Sequence, residues 1–416
     1  MSADVLVVGG GPAGSVTATL LARRGWSVTV LDRSRFPRPK ACGECLNPGA
    51  VAVLARLGLL ERLLPLSPAV LEGWEVRAGG RSARASFPAG GRAPTGLGLP
   101  RSVLDASLLD AAREAGARVE EGVSVRGLAA LDRTGRRTVS VREGGGPTGV
   151  RSARFVVGAD GLRSVVARAI AAPARPPRLE KLSLTVRVRG RRACASHGLL
   201  VLSDQGTVGL APVSAAGDLW NLTVVVDAPR RGREVAAGPL GFVLEAAERA
   251  GLDWTEPPEV TEGPWASGPF DWPMRTVTAR GVALVGDAAG YYDPLTGQGI
   301  FRAIRSAELA ADAIDRALRR SGVSGSRLAG YRLRHRASFA PGRGIQRVVE
   351  RVVSSGALRE PVVGRLASRP GALSTLIGVT GDATPARRLL AAEVVRALVW
   401  PRAARAGPRR PDRSQE

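Results

Sequence analysis

Residues Val5 to Asp32 read VLVVGGGPAGSVTATLLARRGWSVTVLD, and the order of residue types along that stretch decides the fold. Four apolar residues, Val5 to Val8, run straight into Gly9-Gly10-Gly11-Pro12-Ala13-Gly14. Apolar positions then recur at helical spacing through Leu21, and a second β-branched run, Ser27 to Leu31, ends in Asp32. This pattern predicts strand, turn, helix, strand. Its glycine spacing is that of a dinucleotide-binding βαβ unit: Gly9 permits the tight turn, Gly11 lets backbone approach a pyrophosphate, and Gly14 lets helix pack on strand. The helix start turns unpaired N–H groups and a positive dipole end toward phosphates, while Asp32, followed by Arg33, stands where ribose hydroxyls bind. Three glycines and a proline inside the uncharged run, with no basic region before it, exclude a membrane span and a signal peptide.

At 416 residues, 44% of them apolar, the chain is long enough for a large core and two or three subdomains. Its formal charge is +23, yet only Lys40 and Lys181 are lysines; the other basic residues are arginines spread along the whole length. Such dispersion is what a GC-rich coding bias produces. A functional reading of the charge is attraction to an anionic membrane face or nucleic acid. No zinc-finger spacing or aromatic-interleaved basic stripe is present, so nucleic acid is not an expected partner, and peripheral membrane contact is the one that stays open. Three cysteines (Cys42, Cys45, Cys194) without a signal peptide point to a reducing cytoplasm, and two histidines, His197 and His335, leave no room for a His-centred triad or a multi-His metal site. Redox chemistry would therefore belong to a bound cofactor, and no metal is expected.

After Asp32 the segment RSRFPRPKACGECLNP is a proline-rich loop leaving the carboxyl edge of the second strand, where ligands bind in such folds. It carries Lys40 and the pair Cys42-Gly43-Glu44-Cys45, which reads as a redox dithiol or as ordinary loop. A helix is predicted from Ala50 to Leu64, short strands from Trp74 to Phe87, a Gly/Pro-rich loop from Gly90 to Gly98, and an amphipathic helix from Val103 to Ala115. Strands follow at Ala117 to Val119, Val123 to Leu131, Thr138 to Val141 and Ala153 to Gly158. Period-two runs between Leu182 and Asp227 predict an antiparallel sheet, interrupted by one helix at Leu240 to Ala250. Val282 to Val285 then reads as a buried parallel strand and Ile300 to Arg319 as a long helix. The expected class is α/β: a Rossmann-type domain of residues 1–180 and 262–320, an inserted β-rich substrate domain of 181–261, a helical region of 321–400 and a disordered basic tail of 401–416.

Three motifs, GGGPAG at 9–14, GADGLRSVVAR at 158–168 and GDAAGYYDPLTGQGI at 286–300, occur in an order and spacing that resembles the FAD-dependent oxidoreductases. That superfamily joins the aromatic-ring hydroxylases (class A flavoprotein monooxygenases), the flavin-dependent halogenases and the geranylgeranyl reductases. The resemblance spans about residues 3 to 320. It implies FAD as cofactor and NAD(P)H as reductant, with Gly9, Gly11, Gly14, Asp32, Arg33, Arg101, Asp160, Gly161, Gly286, Asp287, Pro294, Gly297, Gly299 and Ile300 as cofactor-binding candidates. Cys42, Lys40 and Pro294 are the candidates for the flavin face. Asp160 also reads as the N-cap of the helix after it, and the Gly297 to Ile300 turn exposes N–H groups at a helix start, as an oxyanion hole does.

Lys40 to Glu44 and Pro294 to Ile300 are most similar to the geranylgeranyl reductase branch, but the aromatic-Trp-Phe-Pro motif of those reductases is replaced here by Val208-Gly209-Leu210-Ala211-Pro212. The halogenase Trp-x-Trp-x-Ile-Pro motif is absent. Sequence alone therefore favours, narrowly, an NAD(P)H-dependent monooxygenase that hydroxylates a hydrophobic phenolic or polyketide-like metabolite. Reduction of carbon–carbon double bonds in an isoprenoid lipid is the alternative, and a non-catalytic flavoprotein held on an anionic membrane surface or nucleic acid is a third.

Overall fold

A computed structural model describes residues 2–89, 93, 95–144, 146–320, 328–390 and 394. Its first sheet is built on Ser2–Val8, which pairs in parallel with Thr148–Gly158 on one side and Val28–Asp32 on the other. Arg118–Glu121 and Val282–Leu284 extend the parallel core outward. Val5, Val7, Val30, Phe155, Val156, Val157 and Val282 are fully buried, as strands covered on both faces require. The helices Pro12–Ala22, Arg101–Glu114 and Gly299–Arg319 pack together over this sheet. Ala303, Ala307, Ala310 and Ala311 keep the inward stripe of the last helix small and its approach close, while Asp312 and Asp315 on its outer side bond Arg24 and Trp26.

The second sheet runs in the order Glu259–Ser267, Lys181–Arg189, Leu219–Asp227, Gly206–Pro212, His197–Ser203, Gly73–Ala78, Arg81–Ser86. All neighbours are antiparallel except His197–Ser203 on Gly73–Ala78. Along Lys181–Arg189 the alternation sends Leu184, Val186 and Val188 into an apolar core with Trp220, Leu222 and Val224, capped by Val235, Phe242 and Val243. Ser183, Thr185 and Arg187 therefore share the opposite face. At the far end, Ala78, Ala83 and Leu202 pack against Val362, Leu366, Leu373 and Ile377 from the helices Gly356–Ala367 and Pro370–Thr380. A small third sheet, Cys45–Leu46, Gly96–Gly98 and Ala69–Leu71, wedges beside the second: a Cβ on Gly98 would stand 1.8 Å from the Pro212 carbonyl oxygen.

Several expected elements shift. The helix expected to reach Leu64 is Pro48–Arg56, ended by Gly58 at φ +62°, and only a 3-10 turn follows at Leu64–Leu66. The end of the expected Gly90 to Gly98 loop is a strand. The helix expected at Leu240 to Ala250 is preceded by another, Ala228–Ala237, whose sequence APRRGREVAA buries only Val235. Glu259–Ser267 straddles the expected 261/262 boundary, and the Gly73–Ser86 hairpin, inside the expected first domain, belongs to the second sheet. Residues 401–416 and parts of 321–400 lie outside the described residues.

The helix Ala329–Ser354 lays Tyr331, His335 and Phe339 against the first domain, with the Tyr331 hydroxyl donating to the Leu284 carbonyl at 2.5 Å and Phe339 edge-on to Phe301. Among the described residues, no helix is long and apolar enough to cross a membrane. Burial, reinforced by the charges of Arg302 and Arg343, pushes the His335 imidazole down to about 3. An unfolded histidine titrates near 6.5, so between those values the unfolded chain holds a proton that the native state refuses, and stability falls as pH drops through the window. The urea midpoint should decrease from pH 6.5 to about pH 5, and His335→Phe should flatten that slope. Equal slopes in the two proteins would contradict the assignment.

Candidate functional site

The glycines of the first turn are set by contact as well as by φ. Gly9 sits at φ +106°, and a Cβ there would meet the Ala159 carbonyl oxygen at 2.4 Å; one on Gly14 would meet the Gly9 carbonyl oxygen at 1.8 Å. Strand, turn, helix and the end of Thr148–Gly158 thus touch backbone to backbone. Gly11 is different: a Cβ there would find only Arg38 Nη2, at 3.7 Å. It opens the helix Pro12–Ala22, which has no side-chain cap, so first-turn N–H groups and the dipole face that space. Arg38 stacks on Phe36, lies 3.6 Å from Asp105 and keeps a buried Nε without a partner. An uncapped helix start facing a guanidinium with an unused donor fits a pyrophosphate.

Asp32 is buried, its Oδ2 accepting from Gly10 N at 2.7 Å and its Oδ1 from Ser34 N at 2.8 Å. Each oxygen keeps a lone pair for a ribose hydroxyl. Arg33 is exposed and makes no described hydrogen bond; Arg38, which sequence reasoning passed over, lies against Gly11. Asp160 accepts from Ser164 Oγ at 2.5 Å and Val165 N at 2.6 Å, but the N-cap of the short helix is Ser164, whose Oγ accepts from Ala167 N. Asp160 braces that cap beside Gly9, and burial raises its carboxyl above the usual range. Gly161, at φ +78°, has open space where a Cβ would stand.

Farther along, Gly286 at φ +59° lets the strand end settle on Ala13, and Asp287 faces Lys40 at 3.8 Å. Buried Asp293 accepts from Leu295 N at 2.8 Å and from Lys181 Nζ at 2.9 Å, fixing the Pro294–Thr296 turn. Gly297 closes it at φ +64°. The helix Gly299–Arg319 then starts without a side-chain cap, with Ile300 anchored in the core. This second open helix start provides the N–H donors that the motif implied.

Between the two layers lies Glu44, 1% exposed and left-handed at φ +56°. Its Oε1 accepts from Arg101 N at 2.7 Å and Arg187 Nη2 at 2.8 Å, and its Oε2 from Asn221 Nδ2 at 3.2 Å. Arg187 also bonds Glu262, and Asn221 bonds the Cys42 carbonyl at 2.8 Å. The Arg101 side chain is committed to Asp105, at 2.7 and 2.6 Å. Burial alone would lower the pKa of this guanidinium; Asp105 and the nearby Cys42 sulfur raise it instead. Cys42, Cys45 and Cys194 are free. Burial, with Cys42 and Glu44 close by, pushes the Cys45 thiol far up, and its Sγ donates to the Gly43 carbonyl, so it is held protonated and is a poor exchange nucleophile. Among the described residues no group of ligands could hold a metal.

Sequence reasoning missed Glu44, Arg187 and Asn221. Arg187 and Asn221 fall in phase on the polar face of their strands, beside Thr185 and Thr223, so the alternation alone did not single them out. Against the Thr296–Gly297 turn lies a narrow cavity walled by Cys45, Leu71, Trp74, Phe87 and Ile377, with Asn47 and Thr380 at its polar edge. Asp382 closes it behind, accepting from Asn47 Nδ2 and Gln298 Nε2, both at 3.0 Å.

A family model described as an FAD binding domain matches residues 2–339. The chain is 31% identical over 321 residues to a menaquinone reductase of Mycolicibacterium smegmatis, covering 74% of this chain and 76% of that one. It is 30% identical over 315 residues to a rifampicin monooxygenase of Streptomyces venezuelae, covering 73% and 62%. The crystal structure of a geranylgeranyl bacteriochlorophyll reductase-like protein from Thermoplasma acidophilum shares the fold, with a TM-score of 0.78 and 21% identity over 95% of this chain and 98% of that one.

Two glycine variants separate folding from cofactor binding. Gly14→Ala forces a backbone overlap and should cost more than about 3 kcal/mol in urea unfolding or yield no soluble protein. Gly11→Ala should keep wild-type circular dichroism and lose about tenfold or more in FAD affinity. A Gly14→Ala protein as stable as wild type would contradict the packing described.

Proposed function

The chain belongs to the FAD binding domain family, and on that premise we propose that this FAD-dependent oxidoreductase is a reductase that adds hydrogen across a carbon–carbon double bond of a hydrophobic isoprenoid or isoprenoid-quinone molecule. Bound FAD supplies the two-electron chemistry, with NAD(P)H as its reductant. The chain's own residues would hold it: the Gly11 turn and Arg38 at the pyrophosphate, Asp32 at the ribose, and the open start of Gly299–Arg319 against negative charge on the ring.

The observation that carries this reading is the lining of the cavity at Thr296–Gly297. Its walls are aromatic and aliphatic, and they include no carboxylate, lysine or histidine to take the proton of a phenol. The walls are apolar, but the cavity as folded, about 20 Å³, has room for about one water molecule, so a hydrocarbon chain enters only where Trp74 and Phe87 move apart. Proton-bearing groups there are the Thr296 and Thr380 hydroxyls and the Cys45 thiol, all uncharged. The missing Trp-Phe-Pro motif, which tilted the sequence reading toward hydroxylation, loses weight because the aromatic wall comes from Trp74 and Phe87 in another hairpin. The 31% identity to a menaquinone reductase supports the same reading.

Hydroxylation stands as the second reading, favoured by that monooxygenase likeness. One pair of incubations separates the two. The FAD-loaded protein is reduced without oxygen and offered a polyprenylated naphthoquinone, and in parallel it is given NADPH, air and a phenolic polyketide. The expected product is the quinone with a saturated isoprene unit, formed without oxygen. Oxygen incorporation into the phenol, with the isoprenoid chain unchanged, would overturn the proposal in favour of the monooxygenase. Turnover of neither, with salt-sensitive binding to anionic vesicles or DNA, would support the non-catalytic reading.

A further inference from the structure

A second cavity, of about 770 Å³, opens on the other side of the Tyr292–Thr296 segment, lined by Arg175, Arg178, Asp271, Tyr292, Arg347, Glu350 and Arg351 among others. Nothing in the flavin site uses it. Arg175 Nη2 and Arg178 Nε share one Asp271 oxygen, at 2.5 and 3.0 Å, and Arg178 also donates to the Tyr292 hydroxyl at 3.0 Å. Glu350 accepts from Ser354 at 2.9 Å and faces Lys181 at 3.9 Å. Arg347 and Arg351, one helical turn apart on Ala329–Ser354, are exposed and make no described ion pair. Four guanidinium groups thus meet two carboxylates, one of them shared with Lys181, and the cavity carries net positive charge.

We propose that this cavity binds the diphosphate group of a ligand that reaches the flavin site from that side. Planar guanidinium forks pair two oxygens at a time, so two unpaired arginines on adjacent turns suit two linked phosphates better than a single carboxylate. The volume exceeds what a bare diphosphate fills and leaves room for an attached organic group. Its position links it to the reaction centre: Lys181 bridges Glu350 and Asp293, and Gln346, beside Arg347, donates to Thr296 Oγ1 at 3.0 Å. A ligand held by Arg347 and Arg351 therefore lies next to the turn that precedes Gly297. Diphosphates of two sources share this chemistry, the dinucleotide reductant and an isoprenoid diphosphate substrate. The isoprenoid source rests on the reductase reading proposed above; the dinucleotide source does not.

The test is calorimetric titration of inorganic pyrophosphate into FAD-loaded protein, using wild type, R347A/R351A, and R332A/R336A as a control that removes equal charge from the same helix outside the cavity. Wild type and control should bind alike, and R347A/R351A should bind about tenfold or more weakly. No binding by wild type, or equal binding by all three, overturns the proposal. Pyrophosphate that competes with NADPH in anaerobic flavin reduction identifies the reductant as the source; pyrophosphate that leaves that reduction unchanged but is displaced by geranyl diphosphate identifies the substrate. The titration reads heat rather than turnover. A protein that bound pyrophosphate through Arg347 and Arg351 but held no FAD would sink the flavin reading and leave this one standing.

Discussion

The Glu44 carboxylate, buried between the nucleotide-binding layer and the second sheet, is the tie on which the arrangement of the site depends. Taking a carboxylate out of water costs several kcal/mol, and only good geometry with several donors offsets that. Glu44 has three donors from three segments: the start of the helix Arg101–Glu114 and the strands Lys181–Arg189 and Leu219–Asp227. Its left-handed backbone costs about 1–2 kcal/mol. A charge-assisted hydrogen bond contributes about 1.5–3 kcal/mol, so the bonds outweigh the strain. Losing Arg187 would leave the Glu44 charge buried without a countercharge, at about 3–5 kcal/mol, whereas Arg187 without Glu44 would keep Glu262. The CxxC stretch is thus less a redox pair than a peptide loop folded to place one carboxylate.

What the tie secures is a fixed distance between two kinds of surface. On one side lie backbone donors and close glycine contacts suited to a dinucleotide: the Gly9–Gly14 turn, Arg38 and the open start of Gly299–Arg319. On the other lies the second sheet, with the Trp74 and Phe87 hairpin at its edge and the helix Pro370–Thr380 folded against it. Electrostatics differ sharply between them. The phosphate end and the outer arginine cavity are cationic, whereas the cavity at Thr296–Gly297 presents no ionised side chain. Burial first, and then the charges of Arg302 and Arg343, keep His335 neutral, so it serves packing.

The nucleotide half was legible because its constraints are local. Gly9, Gly14, Gly286 and Gly297 each meet a steric or φ requirement that only a glycine satisfies, and the apolar runs around them have a single reading as parallel strands. The substrate half was less so. Its sheet recruits Gly73–Ser86 from far along the chain by a parallel pairing to His197–Ser203, which no periodicity announces. Ala228–Ala237 was missed because Pro229 and Gly232 read as turn residues. Arg38 was passed over because it lies six residues beyond Asp32, and only the proline-rich loop doubling back brings it to the Gly11 turn. Glu44 was overlooked because two cysteines flank it and drew the chemistry to themselves.

The claim on which everything else rests is that this chain holds FAD through the Gly11 turn, with its pyrophosphate at the helix start. The direct measurement is a fluorescence titration of the flavin-free protein with FAD and, separately, with FMN, which lacks the second phosphate and the adenosine. The account requires one FAD per chain and an FMN affinity weaker by about a hundredfold or more. Absence of FAD binding, or FMN bound as tightly as FAD, would contradict it.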